Sequence, residues 1–290
     1  MKRILITGAG SYIGTTFEKY IKKFNEYTVD TVDMIDGSWR EKDFSDYDAV
    51  FHVAGLAHSD VGNVTDEVKA KYYAVNTDLT VETAKKAKAE GVGQFVFMSS
   101  AIVYGDSAPI GKDKVITKET PTNPANFYGD SKVQAERGIL PLDDENFKVV
   151  ILRPPMIYGP DSKGNYPILS KLARKLPIFP YVENKRSMLY VENLCEFVRL
   201  MVENDENGIF WPQNREYSNT SEMVKLIAET HGKKIVIVKG LGWALKLVSK
   251  VTGLVNKAFG NMSYDQSLSD YKENYSVVDF KESIKRAEGR

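Results

Sequence analysis

Thr7-Gly8-Ala9-Gly10-Ser11-Tyr12-Ile13-Gly14 says more about the architecture of this chain than any other stretch. It follows a short apolar strand, Arg3 to Thr7, and it precedes Phe17, Tyr20 and Ile21, which recur at helical spacing. A strand that passes through a glycine-rich turn into a helix is the opening unit of an open α/β sheet.

The rest of the first half repeats this alternation. Further apolar strands are predicted at Tyr27–Val32, Ala49–Val53, Phe95–Ser99 and Val149–Leu152, with helices at Thr77–Ala89 and Tyr128–Gly138. Alternating strands and helices predict an α/β fold of the Rossmann type, with a doubly wound parallel sheet.

After Arg153, prolines and glycines punctuate the chain and predict a smaller, loop-rich C-terminal lobe. We predict a Rossmann domain over residues 1–160, completed by parts of 186–215, and a lobe that is mainly residues 161–290. Within the later part, helices are expected at Val191–Met201 and Ser221–Thr230, and a strand at Lys234–Val238.

Composition excludes several classes of function. Lys+Arg and Asp+Glu both number 39 in 290 residues, so no global field favours nucleic acid or an anionic membrane. The single cysteine, Cys195, suits a reducing cytoplasm, and the three histidines offer no metal-ligand spacing. The N-terminal apolar run is too short for a signal peptide, and no run of about 18 apolar residues occurs. A cytoplasmic, metal-free protein is therefore expected.

The glycine-rich turn also predicts a nucleotide site, because backbone N–H groups and the helix dipole there can bind a pyrophosphate. Asp33 closes the second strand, about where a carboxylate would bond the adenosine ribose and repel a 2′-phosphate. This favours NAD over NADP. Arg40 nearby keeps NADP open, and Asp33 as a simple turn residue is the alternative.

A second group of residues predicts redox chemistry. Tyr128 and Lys132 stand four residues apart, so on a helix they share one face. Ser99 and Ser100 end a buried strand, where open α/β sheets place their ligands. A lysine and a cationic nicotinamide ring would stabilise a tyrosine phenolate, which would accept the proton of an alcohol as the cofactor accepts its hydride. An exposed Tyr/Lys helix face is the plain alternative.

In their order along the chain, these residues resemble the extended short-chain dehydrogenase/reductase family, the NAD-dependent epimerases, dehydratases and reductases of nucleotide sugars. The resemblance spans nearly the whole chain and also rests on Asp43-Phe44, His52 to Gly55, Ser99 to Gly105, Arg153 to Pro160 and Arg186 to Val191. One departure is Ser11, which takes the middle glycine position of the family's T-G-x-x-G-x-x-G turn, so its side chain must fit beside the pyrophosphate or bond it.

The resemblance implies roles for particular residues. Ser100 would bond the reacting sugar hydroxyl, Tyr128 would act as general acid/base, and Lys132 would hold the nicotinamide ribose and lower the tyrosine pKa. Arg186 would grip the nucleotide diphosphate, and Asn165 is a further substrate candidate by position. With the turn and Asp33 included, the predicted cofactor contacts are Gly8, Gly10, Ser11, Tyr12, Ile13, Gly14, Asp33, Asp43, Phe44, Val53, Ala54, Gly55, Ser99, Tyr128 and Lys132. A homodimer is also implied.

Ala101 and Ile102 narrow the reaction, because relatives that dehydrate their sugar carry an acidic pair there. What remains is oxidation or reduction at one carbon, C4. We predict an NAD-dependent 4-epimerase of a UDP-hexose or UDP-N-acetylhexosamine that works through a 4-keto intermediate. The alternatives are an NAD(P)H-dependent reductase of a 4-keto nucleotide sugar or polyprenyl-linked sugar and, more distantly, a non-catalytic dinucleotide-binding sensor.

Three features have plain explanations. His52 and His58 lie in no Ser/His/Asp arrangement and are expected to be structural, and Cys195 lies on an apolar helix face and is expected in the core. Residues 241–259 carry an apolar stripe with lysines largely opposite. Packing on the lobe is favoured over contact with a membrane or partner, although membrane contact would make a polyprenyl-linked sugar a plausible substrate.

Overall fold

The computed structural model describes residues 1–57, 64–240 and 259–290. Its strands are β1 (Lys2–Thr7), β2 (Tyr27–Val32), β3 (Ala49–His52), β4 (Gln94–Met98), β5 (Val115–Ile116), β6 (Lys148–Leu152), β7 (Met156–Tyr158), β8 (Ile178–Pro180), β9 (Met188–Tyr190), β10 (Gly208–Phe210), β11 (Val236–Val238) and β12 (Ser263–Tyr264). Its α-helices are α1 (Tyr12–Ile21), α2 (Asp66–Tyr73), α3 (Leu79–Ala89), α4 (Phe127–Ile139), α5 (Asn165–Lys175), α6 (Val191–Glu203), α7 (Thr220–Thr230) and α8 (Phe280–Ala287).

The chain divides into two compact units. Unit 1 comprises Met1–Gly105, Pro121–Pro154 and Leu194–Pro212. Unit 2 comprises Asp106–Thr120, Pro155–Asn193 and Gln213–Arg290. The chain therefore enters each unit more than once. The assignment of residues 161–290 as a substrate-binding lobe stays a prediction.

Unit 1 is built on a six-stranded sheet in the order β10-β6-β4-β3-β1-β2, in which every pair of neighbours is parallel. The residues of β3 and β4 are buried throughout, as expected of inner strands in a sheet covered on both faces. The predicted α/β fold of the Rossmann type is confirmed.

The strand order places the predicted ligand residues. The chain runs from β1 to β2 on one side of β1 and then to β3 on the other, so the order reverses at β1 and β3. Ligands of open α/β sheets bind at such a reversal, outside the carboxyl ends of the strands. The glycine-rich turn follows β1, Val53 to Gly55 follow β3, and Ser99 and Ser100 follow β4.

Several predicted bounds need correction. Val53 and Ser99 lie one residue beyond their strands, and the predicted helix from Thr77 begins as a π-helical turn, Ala74–Asp78, before α3. The edge strand β10 was not predicted, because three residues between turns show no periodicity. Helices α2, α5 and α8 were not predicted either.

Unit 2 contains three two-stranded parallel sheets, β5 with β12, β7 with β9, and β8 with β11, together with α5, α7 and α8. The predicted helix from Ser221 is α7, and the predicted strand from Lys234 is shorter, beginning at Val236. The 241–259 stripe falls, except for Phe259, outside the described residues. Within the described part of the chain, no helix has the length and apolarity needed to cross a membrane.

Candidate active site

The first turn of α4 and the hydroxyl end of β4 meet in unit 1. The Asn126 side chain caps α4 by accepting from the Gly129 N–H at 3.0 Å. A Cβ at Gly129 would lie 2.8 Å from the carbonyl oxygen of Ile102, so the glycine allows α4 to pack directly on the backbone after Ser100. Ser100 Oγ accepts from the Ile102 N–H at 3.3 Å, and the Ser100 hydroxyl lies near enough to the Tyr128 phenol to lower its pKa. The structure thus brings Ser100 and Tyr128 together.

Tyr128 is held in its protonated form by its surroundings. Burial raises the pKa of Tyr128 to about 12, and nearby Tyr72 adds to this, while the hydrogen bond from Ser100 acts in the opposite direction. The rings of Tyr72 and Tyr128 meet edge to face at 5.9 Å. Among the protein's own groups, burial therefore outweighs any stabilisation of the phenolate, and the expected lowering of the tyrosine pKa requires a further cationic group.

The contacts of Lys132 explain why this lysine does not by itself lower the pKa of Tyr128. Its Nζ donates to the carbonyl oxygen of Met98 at 2.9 Å and lies 4.7 Å from the centre of the Phe97 ring. Burial lowers the pKa of Lys132 to about 8, and the Glu136 carboxylate opposes that shift. The ammonium is thus held at the carboxyl end of β4, beside the predicted site.

Asn76, which sequence reasoning missed, organises the backbone next to Lys132. It is completely buried in the π-helical turn. Its Oδ1 accepts from the Leu56 N–H at 2.7 Å, and its Nδ2 donates to Leu56 O and Ser131 Oγ, both at 3.1 Å. Its signal in the sequence is a polar residue at a buried helix position, which is visible only once the helix face is known.

Gly55 tests whether a dinucleotide fits here. A Cβ at this position would lie 3.2 Å from Asn76 Oδ1 and 3.3 Å from Lys132 Nζ. The missing side chain leaves space beside an ammonium donor and an amide, at the carboxyl end of β3, and these are groups that bond ribose hydroxyls. The residues present therefore fit a nicotinamide dinucleotide.

The turn after β1 forms the other end of the predicted cofactor site. Ser11 is the N-cap of α1, and its Oγ accepts from the Gly14 N–H at 3.2 Å. The residue that departs from the family pattern thus caps the helix that would bind the pyrophosphate. Gly8 and Gly10, with φ of +104° and +73°, shape the turn before it, and Tyr12 and Ile13 begin α1.

Gly8 and Gly10 differ in what surrounds them, which gives a matched test of the turn. A Cβ at Gly8 would lie 2.8 Å from the backbone nitrogen of Ala54, whereas one at Gly10 would meet no described atom within 4 Å. We expect Gly10→Ala to lower the free energy of unfolding by about 1 kcal/mol, from backbone strain alone. Gly8→Ala should cost about 3 kcal/mol, because strain and overpacking add. Urea unfolding measures both, and equal costs would contradict this packing of β1 on β3.

Asp33 and Arg40 bear on the choice between NAD and NADP. Asp33 is exposed just after β2, and its Oδ1 accepts from the Ile35 N–H at 2.9 Å. A carboxylate has two oxygens, so this turn is compatible with a second bond to a ribose. Arg40 donates to both carboxylate oxygens of Glu82, at 2.5 and 2.6 Å, and stacks on Trp39.

Asp43 and Phe44 occupy a tight turn before β3. Asp43 is exposed, and its Oδ1 accepts from the Ser45 N–H at 2.8 Å. Phe44 is completely buried in the core of unit 1, and its N–H donates to Glu90 Oε2 at 2.7 Å. Their contact with an adenine stays a prediction.

A network of buried polar groups lies beside Lys132. Ser99 Oγ donates to Glu136 Oε1 at 2.5 Å, and Arg153 donates to both oxygens of Glu136, at 3.1 and 2.6 Å. Arg153 Nη1 also donates to the Tyr104 phenol at 2.7 Å, as does Trp211 Nε1 at 2.6 Å. Ser99, predicted to touch the cofactor, is thus bonded into a network that the sequence did not predict.

Two of the predicted substrate residues, Arg186 and Asn165, belong to unit 2. Arg186 is bridged through its backbone to Ser218, with N–O distances of 3.0 and 2.9 Å, and burial lowers the pKa of its guanidinium to about 10. Asn165 is the first residue of α5. Their roles in substrate binding stay predictions.

His52 has the structural role that was expected. It is completely buried, with Nδ1 2.7 Å from Thr7 Oγ1 and Nε2 3.0 Å from Thr80 Oγ1, and burial lowers its pKa to about 3. Cys195 is likewise buried, in α6. His58 lies outside the described residues, among which no group of acidic, histidine and cysteine side chains could hold a metal ion.

The fold, and the residues at the carboxyl ends of its strands, fit a dinucleotide-dependent enzyme. A model of the NAD dependent epimerase/dehydratase family matches residues 4–211, so the chain belongs to that family. A UDP-glucose 4-epimerase of Vibrio cholerae is 30% identical over 92% of this chain and 88% of its own length. An N-acetyl-α-D-glucosaminyl-diphospho-ditrans,octacis-undecaprenol 4-epimerase of Escherichia coli O157:H7 is 26% identical over 86% of this chain and 81% of its own.

Solved structures share the fold over nearly their whole length. A UDP-glucuronic acid 4-epimerase from Bacillus cereus in complex with NAD gives a TM-score of 0.73 at 17% identity, over 98% of this chain and 96% of that one. A dTDP-4-dehydrorhamnose reductase from Bacillus anthracis in complex with NADP also gives 0.73 at 17% identity, over 99% and 98%. The predicted extended short-chain dehydrogenase/reductase is confirmed, and the protein is an enzyme of that type.

Proposed function

We propose that this protein is an NAD-dependent 4-epimerase of a UDP-hexose or UDP-N-acetylhexosamine. The observation that carries the proposal is the Ser100 hydroxyl beside the Tyr128 phenol, at the end of β4 where the Lys132 ammonium donates to Met98. A paired hydroxyl and phenol is the arrangement needed to bind an alcohol and move its proton. The epimerase of Vibrio cholerae supports the reaction class, because the similarity covers both chains almost completely.

Each side chain has a distinct task in this proposal. NAD, held by Lys132 and the glycine-rich turn, would supply a nicotinamide ring as hydride acceptor and then hydride donor for C4. Ser100 bonds the C4 hydroxyl and orients it toward Tyr128. Tyr128 takes the hydroxyl proton as the C4 ketone forms and gives it back as the alcohol is restored, so the proton count closes over one turnover. Lys132 holds the nicotinamide ribose through its ammonium hydrogens.

NAD is favoured over NADP by the residues at the end of β2. The exposed Asp33 carboxylate would repel a 2′-phosphate. Arg40 is the nearest cation in sequence that could attract that phosphate. Its guanidinium already forms a bidentate ion pair with the Glu82 carboxylate. An epimerase needs no exchange of its cofactor, because each turnover restores NAD.

The nucleotide of the substrate is assigned to Arg186. Burial lowers the pKa of Arg186, so a bound diphosphate would offset the cost of keeping the guanidinium charged there. A planar fork of donors suits phosphate oxygens.

Two related substrates give rival functions. A 4-keto sugar reductase would use the same three side chains, and the fold likeness extends equally to a reductase. A polyprenyl-linked sugar is favoured by one observation, the relative in Escherichia coli that is named for an undecaprenol-linked substrate. The apolar stripe predicted for residues 241–259 would suit such a lipid.

A substrate panel without added cofactor separates these functions. We expect the purified protein to convert a UDP-hexose or UDP-N-acetylhexosamine to its C4 epimer without added NAD, because the hydride is borrowed and returned. Product formation is followed by chromatography of the nucleotide sugars. A strict requirement for NAD(P)H with a 4-keto sugar would make the protein a reductase, and turnover only of the polyprenyl diphosphate sugar would reassign the substrate. Cofactor binding without turnover of any of these substrates would favour the non-catalytic dinucleotide-binding sensor.

A further inference from the structure

A row of buried charges continues from Lys132 along α4. Glu136 is four residues further on, on the same helix face, and its side chain is 3% exposed. Arg153, just after β6, is 9% exposed and forms a two-pronged ion pair with it, with Nη2 2.6 Å from Oε2 and Nε 3.1 Å from Oε1. The ammonium, carboxylate and guanidinium are thus all inside unit 1.

The surrounding bonds fix the carboxylate in place. Ser99 donates to the same oxygen as Arg153 Nε, and Tyr104 accepts from Arg153 Nη1 at 2.7 Å. These bonds join α4 to the ends of β4 and β6. A buried ion pair brings little net stability compared with apolar side chains of the same shape. What this one does bring is a negative charge at a fixed position near Lys132.

We propose that Glu136, held by Arg153, is a positioning residue that keeps the Lys132 ammonium charged and so sets the upper pH limit of the reaction. The inference rests on the proposed role of Lys132. Helix α4 would then carry a third functional residue, Glu136, one turn beyond Lys132 and two turns beyond Tyr128.

The titratable groups around Lys132 show why Glu136 is the residue that keeps its ammonium charged. Lys132 faces His52 from β3, and burial together with the Lys132 charge keeps that imidazole neutral. Tyr128 on α4, Tyr72 from α2 and Tyr104 from the turn after Ser100 present phenols rather than carboxylates. The Asp130 carboxylate is bonded to the Tyr73 phenol and to Gln134. Glu136 is the carboxylate that raises the pKa of Lys132 against the effect of burial.

Removing the Glu136 charge and removing the Arg153 charge should shift the pKa of Lys132 in opposite directions. Without the Glu136 carboxylate, the charge that raises the pKa of Lys132 is gone, so Lys132 releases its proton at lower pH. Without the Arg153 guanidinium, the carboxylate acts on Lys132 undiminished, so the proton is held to higher pH. Neutralising both leaves the net buried charge unchanged.

The test uses Glu136→Gln, Arg153→Met and the double variant. The alkaline limb of the pH dependence of kcat/KM should move down by about one pH unit in Glu136→Gln and up in Arg153→Met. The double variant should lie between them. Should one single variant fail to fold, the charge-balanced double variant and the other single variant still give the direction. A limb that stays at the wild-type pH in every folded variant would overturn the proposal and leave the pair a purely structural role.

A second readout needs no substrate. Because the pKa of Lys132 is depressed to about 8, the free energy of unfolding of the wild-type protein should rise with pH from about pH 8. That rise should begin at lower pH in Glu136→Gln and at higher pH in Arg153→Met, and both effects should vanish in a Lys132→Met background. Opposite shifts here without turnover on any sugar would reject the proposed function and keep the coupling. Turnover of a sugar, with pH profiles of stability that do not shift in the variants, would keep the proposed function and reject the role of Glu136.

Discussion

Tyr128→Phe should lower kcat by at least about 100-fold, the usual effect of losing a general acid/base. The change removes only the phenolic oxygen, which lies beside the Ser100 hydroxyl, and leaves the ring packed against Tyr72. Cofactor binding, measured by the fluorescence change on adding NADH, should remain within about threefold of wild type, because Lys132 and the glycine-rich turn are unchanged.

Tyr73→Phe is the matched control. This tyrosine also contacts α4, but its phenol donates a 2.8 Å hydrogen bond to Asp130. Its turnover should stay within about twofold of wild type. A Tyr128→Phe variant that works at the wild-type rate would exclude the phenol from proton transfer.

Lys132→Met should abolish most activity and at the same time stabilise the protein. Keeping an ammonium in this buried position costs about 3 kcal/mol, since the pKa falls from 10.5 to about 8 and each unit corresponds to about 1.4 kcal/mol. Loss of the hydrogen bond to Met98 destabilises the variant by about 1 kcal/mol and so offsets part of this gain. We therefore expect a net gain of about 2 kcal/mol in the free energy of unfolding at pH 7.

The pH dependence gives the sign of this effect. A lysine with a depressed folded-state pKa binds its proton more tightly in the unfolded chain, so wild-type stability should rise between pH 8 and 10.5. Lys132→Met lacks that rise, and its advantage should disappear at the upper end of the range. Lys22→Met, at an exposed pair with Glu18, should change stability by less than about 0.5 kcal/mol. A Lys132→Met variant less stable than wild type at pH 7 would mean that the ammonium is better paired than its surroundings indicate.

Local patterns were enough to predict the parts of the site that are local. The turn from Thr7 to Gly14 and the spacing of Tyr128 and Lys132 each depend on a few consecutive residues. Parallel sheets then bring the ends of successive strands to one edge, which places Ser100 without any knowledge of side-chain packing. The fold followed from the same alternation of strands and helices.

Features that depend on distant partners could not be predicted. Glu136 and Arg153 are 17 residues apart and no local spacing connects them, yet they form a buried ion pair. Asn76 bonds a backbone 20 residues away. Helix α5 has apolar residues at helical spacing in Tyr166, Leu169 and Ala173, although Pro167 by itself favours a loop. It lies in the first turn of the helix, where its missing N–H has no intrahelical partner to lose.

The measurement that tests the account most directly follows the hydrogen at C4. Purified protein is incubated with UDP-galactose that carries deuterium at C4, and the UDP-glucose product is analysed by mass spectrometry and NMR. If a hydride is taken from C4 and returned within the same site, the product should keep its deuterium at C4 with inverted configuration, and wild type and Tyr128→Phe should differ only in rate. Loss of the label from C4 to water would contradict removal and return of the same hydride at C4.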